Sequence, residues 1–261
     1  MSDDVMQALV DDLVAEQRAL DDALRDLPPA AWEHASPADG WLLRDCIAHL
    51  AEFDETAATI AETGEAPRGR GGRGDGVLSA RQIEARTMSV EALLAWWREA
   101  RARLAAALRP LDTRARLPWV GPPMSARSFA TARLMECWSH GLDALDAAGR
   151  SLPDSDRLRH IAHLGYSTRE FAYRNRGLEP NAEPLRVELR APSGATWTWG
   201  PEDAPNRIMG PAGDFCRVVT QRIHHLDTAL VAEGAAARDL LEVAQAFAGP
   251  PGSGRPPRGE R

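Results

Sequence analysis

Lysine is absent from this chain: all 31 basic residues are arginine. Arginine neither deprotonates usefully nor forms an imine, so mechanisms that need a lysine Schiff base or a P-loop lysine are excluded. Cysteine is scarce, with 3 residues, Cys46, Cys137 and Cys216, none in a CxxC pair. An odd number so scattered excludes a disulfide framework and an iron–sulfur cluster, and reads as reduced thiols packed as small apolar side chains. No apolar run approaches the ~18 residues that a membrane span needs, and the acidic start MSDDV has no basic segment ahead of a hydrophobic stretch. The chain is therefore expected to be soluble and cytoplasmic, with no membrane partner. A formal net charge of −7 leaves no broad basic face, and an acidic surface repels a phosphate backbone, so nucleic acid is set aside as well. GxSxG and P-loop patterns are missing, which removes support for a serine hydrolase or a P-loop nucleotide site.

What is present is enough hydrophobic material, 44% of 261 residues, for one large domain or two modest ones. Val5, Leu9, Leu13, Leu20, Leu24 and Leu27 recur at helical spacing and predict an amphipathic helix over residues 3–26, stopped by Pro28 and Pro29. A second helix is predicted over residues 43–63, with His49 near its second turn. The segment EAPRGRGGRGDG that follows is too rich in Gly and Arg to pack and reads as a mobile linker rather than an RNA-binding run. Ser79 with Gln82 has the spacing of a capping box for a short helix, and Ser89 opens a longer one to Leu108. PWVGPPM predicts an extended crossing, and Ser125 opens a helix to Ala148 with Gly149 as its cap.

Beyond Asp154 one more helix is predicted, to about Arg174. LRVELR and TWTWG then alternate around APSG as a hairpin, and helices over residues 214–225 and 235–248 flank a short strand at ALVA. The expected fold is mainly α with a small α+β part. A four-helix bundle occupies residues 1–150, an α+β domain residues 151–248, and a disordered Pro/Gly/Arg tail residues 249–261.

Glu136 and His140, four apart on a helix, can converge on one point, and Asp143 falls within the same ~60° stripe. His49 lies in the apolar run CIAHLAEF, where an unpaired imidazole is costly to bury. Two imidazoles and one carboxylate with a vacant position suit a catalytic zinc site and equally a facial-triad iron(II) site. Each residue also has a plainer reading: a solvated stripe for Glu136, His140 and Asp143, and a hydrogen-bonded core histidine for His49. His160, His163 and Tyr166 form a second stripe that lacks a carboxylate in register and reads as a packed or exposed polar face. His224 and His225 are adjacent, so on a helix they would diverge and could not chelate; His34 reads as a surface residue.

The segments GWLLRDCIAHLAEFD and ARLMECWSHGLDALDA resemble the two signature segments of the DinB-like metal-binding superfamily, in its mycothiol-dependent maleylpyruvate isomerase-like branch from actinobacteria. WGPEDAPNRIMGPAGDF and AQAFAGPPGSGR resemble more closely a subgroup labelled wyosine base formation-like, and the resemblance spans nearly the whole chain. It implies a DinB-like four-helix bundle holding a divalent metal, zinc first and nickel or iron(II) as alternatives, through His49, Glu136 and His140. It further implies thiol transfer or isomerisation of a small electrophilic substrate, with mycothiol as co-substrate and the protein a monomer or homodimer. The rival reading is a non-catalytic metal-binding or ligand-sensing protein of the same fold, with Cys46 or Cys137 as a fourth ligand. Asp143 would orient His140 or a substrate cation. In isomerase-like relatives a C-terminal arginine leans toward the metal cleft, and Arg222 in CRVVTQRIHH is the similar position, a clamp for an anionic substrate or else a surface arginine on an amphipathic helix. One departure is Leu42, where the pattern usually has a Thr cap, so capping is expected to fall to Asp39 or to the backbone.

Overall fold

Pro28 and Pro29 end the first helix, α1 (Ser2–Leu24), as the sequence predicts, and a short 3-10 turn over Pro29–Glu33 carries the chain away. The structure, a computed structural model, describes residues 2–66, 77–119, 121–252 and 254–260. Along α1 the buried stripe starts one residue late: Val5 is 42% exposed, whereas Met6, Leu9, Val10, Leu13, Leu20 and Leu24 are buried. Next come α2 (Leu43–Thr63), the short α3 (Ala80–Ala85) and α4 (Val90–Leu108). Most of the predicted Gly/Arg linker, residues 67–76, lies outside the described residues.

PWVGPPM does not cross as one extended segment. β1 (Arg116–Trp119) and β2 (Gly121–Ser125) pair antiparallel, Arg116 opposite Ser125 and Leu117 opposite Met124. Both strands of so small a ribbon are edges, and there the missing N–H of proline is tolerated. Ser125 then accepts from Ser128 N–H and opens α5 (Ala126–Ala147), and Gly149, at φ +64°, turns the chain out of it.

α1, α2, α4 and α5 are the four long helices. α2 packs against α4 and α5, and α1 against α5 and α4, around a core that includes Leu20, Trp32, Ile47, Leu50, Trp97 and Leu145. The start of α2, which positions His49, is capped by the side chain of neither Leu42 nor Asp39. Asp45 reaches back to the Leu42 N–H (2.8 Å) and is itself gripped by Arg86 through Nε at 3.0 Å and Nη2 at 2.6 Å. The carboxylate thus supplies one half of a capping box, and the Asp45 N–H that a threonine hydroxyl would have accepted goes to the Leu42 backbone carbonyl instead (3.0 Å). One further tie fixes α2 against α5: Arg133 Nε donates to Asp54 Oδ1 (3.1 Å), while Gln17 of α1 donates to Asp54 Oδ2 (3.2 Å).

The chain divides into two compact units between Leu152 and Pro153. In the second, the helix predicted over residues 154–174 is two: α6 (Leu158–Ser167) and α7 (Arg169–Asn175). Thr168 separates them, its hydroxyl donating to the Leu164 carbonyl (2.8 Å), a local bond that competes with helix continuation. The predicted hairpin is β3 (Leu185–Arg190) with β4 (Thr196–Trp199), Val187 opposite Trp199. β5 (Asn206–Pro211), which the sequence pattern missed, runs parallel to β3, and β6 (Val231–Glu233) closes the sheet in the order β4-β3-β5-β6. α8 (Ala212–Val219) is shorter than the predicted 214–225, and α9 (Ala235–Val243) shorter than 235–248.

The tail, expected to be disordered, is anchored within this unit. Asn175 donates to the Gly249 carbonyl (2.9 Å), Arg176 Nη2 to that of Gly252 (2.7 Å), and the Arg258 N–H to Asp227. Its lack of apolar residues is offset by backbone groups that neighbouring side chains satisfy.

The Arg133–Asp54 pair is almost wholly buried, at 2% and 1% side-chain exposure. Removing one partner strands the other, so Asp54→Ala should lower unfolding free energy by about 3–5 kcal/mol in urea titration. The double change Asp54→Leu with Arg133→Met should recover most of that loss. Equal losses in the single and double variants would show that the pair's burial is not the source.

Candidate metal centre

His49 from α2 meets Glu136 and His140 from α5 at the core of the first unit. Glu136 Oε2 lies 3.5 Å from His49 Nε2 and 3.4 Å from His140 Nε2. These separations are long for strong hydrogen bonds, yet close to the edge of a tetrahedron whose ligand bonds are near 2.0–2.1 Å, about 3.3 Å. The three ligand atoms lie within 4.8 Å of one another, and among the described residues this is the group of His, Cys, Asp and Glu side chains so disposed. Each side chain is partly exposed, His49 to 14%, His140 to 12% and Glu136 to 22%.

Electrostatics prepare two of these groups for a cation. Burial, with the charge of His140 adding to it, lowers the His49 imidazole to about 4 against the opposing pull of Glu136. His49 is therefore uncharged at neutral pH and keeps a lone pair. For Glu136, burial pushes the carboxyl up, but the neighbouring His140 and His49 imidazoles and the charge of Arg133 outweigh it and hold the group well below the usual carboxylate range. Its negative charge persists in a buried place. His49 Nε2 is buried and lacks a hydrogen-bond partner, the kind of orphan that a metal ion satisfies. Two imidazoles and one carboxylate fit a divalent ion of the zinc, nickel or iron(II) kind.

The surroundings hold the rings in place. Trp41 stacks on His140 at 5.3 Å and 16° between planes, and lies 5.1 Å from His49 at a tilt. Phe53, one turn beyond His49 on α2, lies 4.3 Å from it at a tilt of 31°. The Arg133 guanidinium sits 5.8 Å over the Phe53 ring. On its outer nitrogen, His140 Nδ1 lies 3.4 Å from Asp143 Oδ2, so Asp143 faces the imidazole rather than the ligand cluster. His49 Nδ1 instead receives the side-chain amide of Gln82 at 3.3 Å.

The structure thus brings His49, Glu136, His140 and Asp143 together. Trp41, Phe53, Gln82 and Arg133 were missed as parts of the site, although Phe53 lies four residues past His49 and Arg133 three before Glu136. Cys46 and Cys137 are buried and outside the ligand group; burial, with Glu16 and Asp54 nearby, pushes the Cys137 thiol well up, so it stays protonated.

In the second unit, His163 Nδ1 accepts from Trp199 Nε1 (3.2 Å), a packing role. The pair His224 and His225 lies beyond the end of α8, so the expectation that the two rings diverge on a helix does not hold: their centroids are 4.6 Å apart. Arg222 is likewise outside the helix that was expected to carry it. Gln221, at φ +59°, turns the chain, and Arg222 Nη1 donates to the Thr220 carbonyl (2.7 Å).

Comparison with known proteins gives a family and a fold. A family described as Mycothiol maleylpyruvate isomerase N-terminal domain matches residues 13–145, and one described as Wyosine base formation matches residues 181–233. Uncharacterized proteins from two strains of Mycobacterium tuberculosis are 46% identical over 252 residues, 94% of this chain and 97% of theirs. Crystal structures of the mycothiol-dependent maleylpyruvate isomerase and of a mutant of it share the fold, with a TM-score of 0.58 at 18% identity, covering 87% of this chain and 92% of theirs.

Protein purified without an affinity tag should contain one divalent ion per chain by elemental analysis. His49→Ala, Glu136→Ala or His140→Ala should each cut that occupancy sharply, and His160→Ala or His163→Ala should not. Full occupancy in the His49→Ala/His140→Ala double variant would place the ion elsewhere.

Proposed function

The chain belongs to the family of the mycothiol maleylpyruvate isomerase N-terminal domain, and from that membership we propose that it is a metal-dependent enzyme of small-molecule thiol chemistry. His49, Glu136 and His140 hold a divalent ion, zinc first. Mycothiol is the co-substrate and a small electrophilic compound the substrate, which is either transferred onto sulfur or isomerised through a thiol adduct. The observation that carries this reading is the composition of the ligand group. Among the described residues it holds three side chains and no cysteine, and a three-ligand site leaves a position for an incoming group, whereas a structural site is closed by a fourth. The same observation weighs against the rival reading, a closed metal-binding or ligand-sensing protein.

A dication held there supplies the charge that lowers a thiol, ordinarily near pKa ~8.5, into the thiolate range at neutral pH. The thiolate is the nucleophile that adds to an electrophilic carbon. The chain's own residues prepare the place. Asp143 accepts from His140 Nδ1 and turns the lone pair of Nε2 inward. Trp41 and Phe53 flank the rings and exclude water from two sides, which strengthens every charge interaction inside. By the resemblance, Arg222 would offer a bidentate guanidinium to a carboxylate of the substrate. The description of the second matching family, wyosine base formation, is not carried over as an RNA activity: the chain is acidic and its three cysteines are scattered and buried.

Cobalt-substituted protein titrated with mycothiol should develop sulfur-to-metal charge-transfer absorption in the near ultraviolet. A spectrum unchanged at saturating thiol would favour the non-catalytic reading. For Arg222→Ala, metal content and melting temperature should stay near wild type while affinity for an anionic substrate analogue falls by ~1.5–3 kcal/mol, the scale of a hydrogen bond to a charged group. An unchanged affinity would remove Arg222 from the site.

A further inference from the structure

The two imidazoles of the metal centre are held in opposite senses on their outer nitrogens. His140 Nδ1 faces Asp143 Oδ2 at 3.4 Å. A carboxylate only accepts, so that nitrogen carries a ring proton and Nε2 is the nitrogen turned inward. His49 Nδ1 faces Gln82 Nε2 at 3.3 Å, and an amide nitrogen only donates.

The orientation of the Gln82 amide is set at its other end. Gln82 Oε1 accepts the Ser79 N–H at 3.0 Å, and the Gln82 N–H is accepted by Ser79 Oγ at 3.1 Å, the two halves of the box that caps α3. Ser79 Oγ in turn donates to Glu52 Oε2 at 2.6 Å, on α2 one turn past His49. The backbone N–H of Ser79 needs an acceptor, so the NH2 side of the amide is directed at His49. His49 Nδ1 must then be the unprotonated nitrogen, and the single proton of the neutral ring sits on Nε2, toward Glu136.

That tautomer cannot bind a cation through Nε2. A metal there needs the Nε2 lone pair, which moves the ring proton to Nδ1, where it meets the Gln82 N–H. Two donors face each other until the amide rotates by about 180°, which brings Oε1 onto Nδ1–H and leaves the Ser79 N–H without its acceptor. We propose that Gln82 is a positioning residue with two amide orientations, one capping α3 at Ser79 and one accepting from His49, and that a metal at His49, Glu136 and His140 selects the second. Metal loading and the capping of α3 therefore compete for one carbonyl oxygen, and by linkage whatever strengthens the cap weakens the metal. The inference rests on the reading of the triad as a metal centre.

Two variants and one measurement on the unaltered chain test it. Gln82→Glu offers two acceptor oxygens, one for Ser79 and one for His49, and removes the competition. Gln82→Met keeps the length and offers neither. In competition with a chromophoric chelator, zinc should bind Gln82→Glu about tenfold tighter than wild type and Gln82→Met roughly 10–100-fold weaker, the usual range for a lost partner of a ligating histidine. In wild type, zinc should move the proton of His49 from Nε2 to Nδ1 by nitrogen-15 NMR and speed hydrogen exchange at the Ser79 amide; in Gln82→Glu the Ser79 amide should stay protected. If zinc binds wild type through the triad but Ser79 exchange is unchanged and both variants match wild type, the role of Gln82 is overturned while the metal centre stands. If wild type binds no zinc, both fail together.

Discussion

The contact on which the first unit depends is the buried pair of Arg133 and Asp54. Asp54 lies five residues after His49 on α2, and Arg133 three before Glu136 on α5, so their bond sets how the two ligand-bearing helices are turned toward each other. Such a pair is a poor source of net stability, because desolvating two charges offsets most of their attraction. Its contribution is to register. Apolar packing between α2 and α5 tolerates small rotations, whereas an arginine that must meet one carboxylate oxygen does not. Gln17 adds a third anchor from α1 on the other oxygen. A rotation of α5 that separated Arg133 from Asp54 would also carry Glu136 away from His49.

Much of this was legible in the chain. Helix starts marked by serine were read correctly at Ser79, Ser89 and Ser125, because a hydroxyl at an N-cap is a local signal that does not depend on tertiary context. The fold class, mainly α with a small α+β part, follows from the same patterns and agrees with the likeness to the isomerase structure. What failed was non-local. β5 owes its existence to parallel pairing with β3, and a segment such as NRIMGP does not alternate enough to announce it. The tail is held by the Asn175 amide of α7, which donates to a tail carbonyl, and by the Asp227 carboxylate in the 3-10 turn at His225–Asp227, which accepts a tail N–H; composition encodes neither. α8 ends early because Gln221 enters the left-handed region, an event with no glycine to mark it.

The site divides in the same way. Glu136 and His140 were legible because spacing on one helix is a statement about angle, and His49 because an imidazole in an apolar run needs an explanation. Their partners were not. Gln82 was visible as the third residue of a capping box, a role that accounts for it completely in one dimension; only in three dimensions does its free amide end meet His49. Of the two caps expected at Leu42, Asp39 or the backbone, the backbone carbonyl takes the Asp45 N–H, and the Asp45 carboxylate adds a bond that nothing in the order of residues shows, because Arg86 arrives from elsewhere to hold it in the interior.

The same tie has a consequence in time. Asp54 and Arg133 are 79 residues apart in the chain. Contacts of that separation form late in folding, since the loop between them must close before the contact returns anything. On a ribosome, at about 5–20 residues per second, α5 emerges roughly 4–16 s after α2. For that interval α2 carries a buried-type aspartate and His49 with no counterpart, and one imidazole is too weak a ligand to capture an ion by itself. An ion at the proposed centre would therefore enter an assembled bundle rather than nucleate it, unlike the small metal-folded domains whose structure begins at the ion.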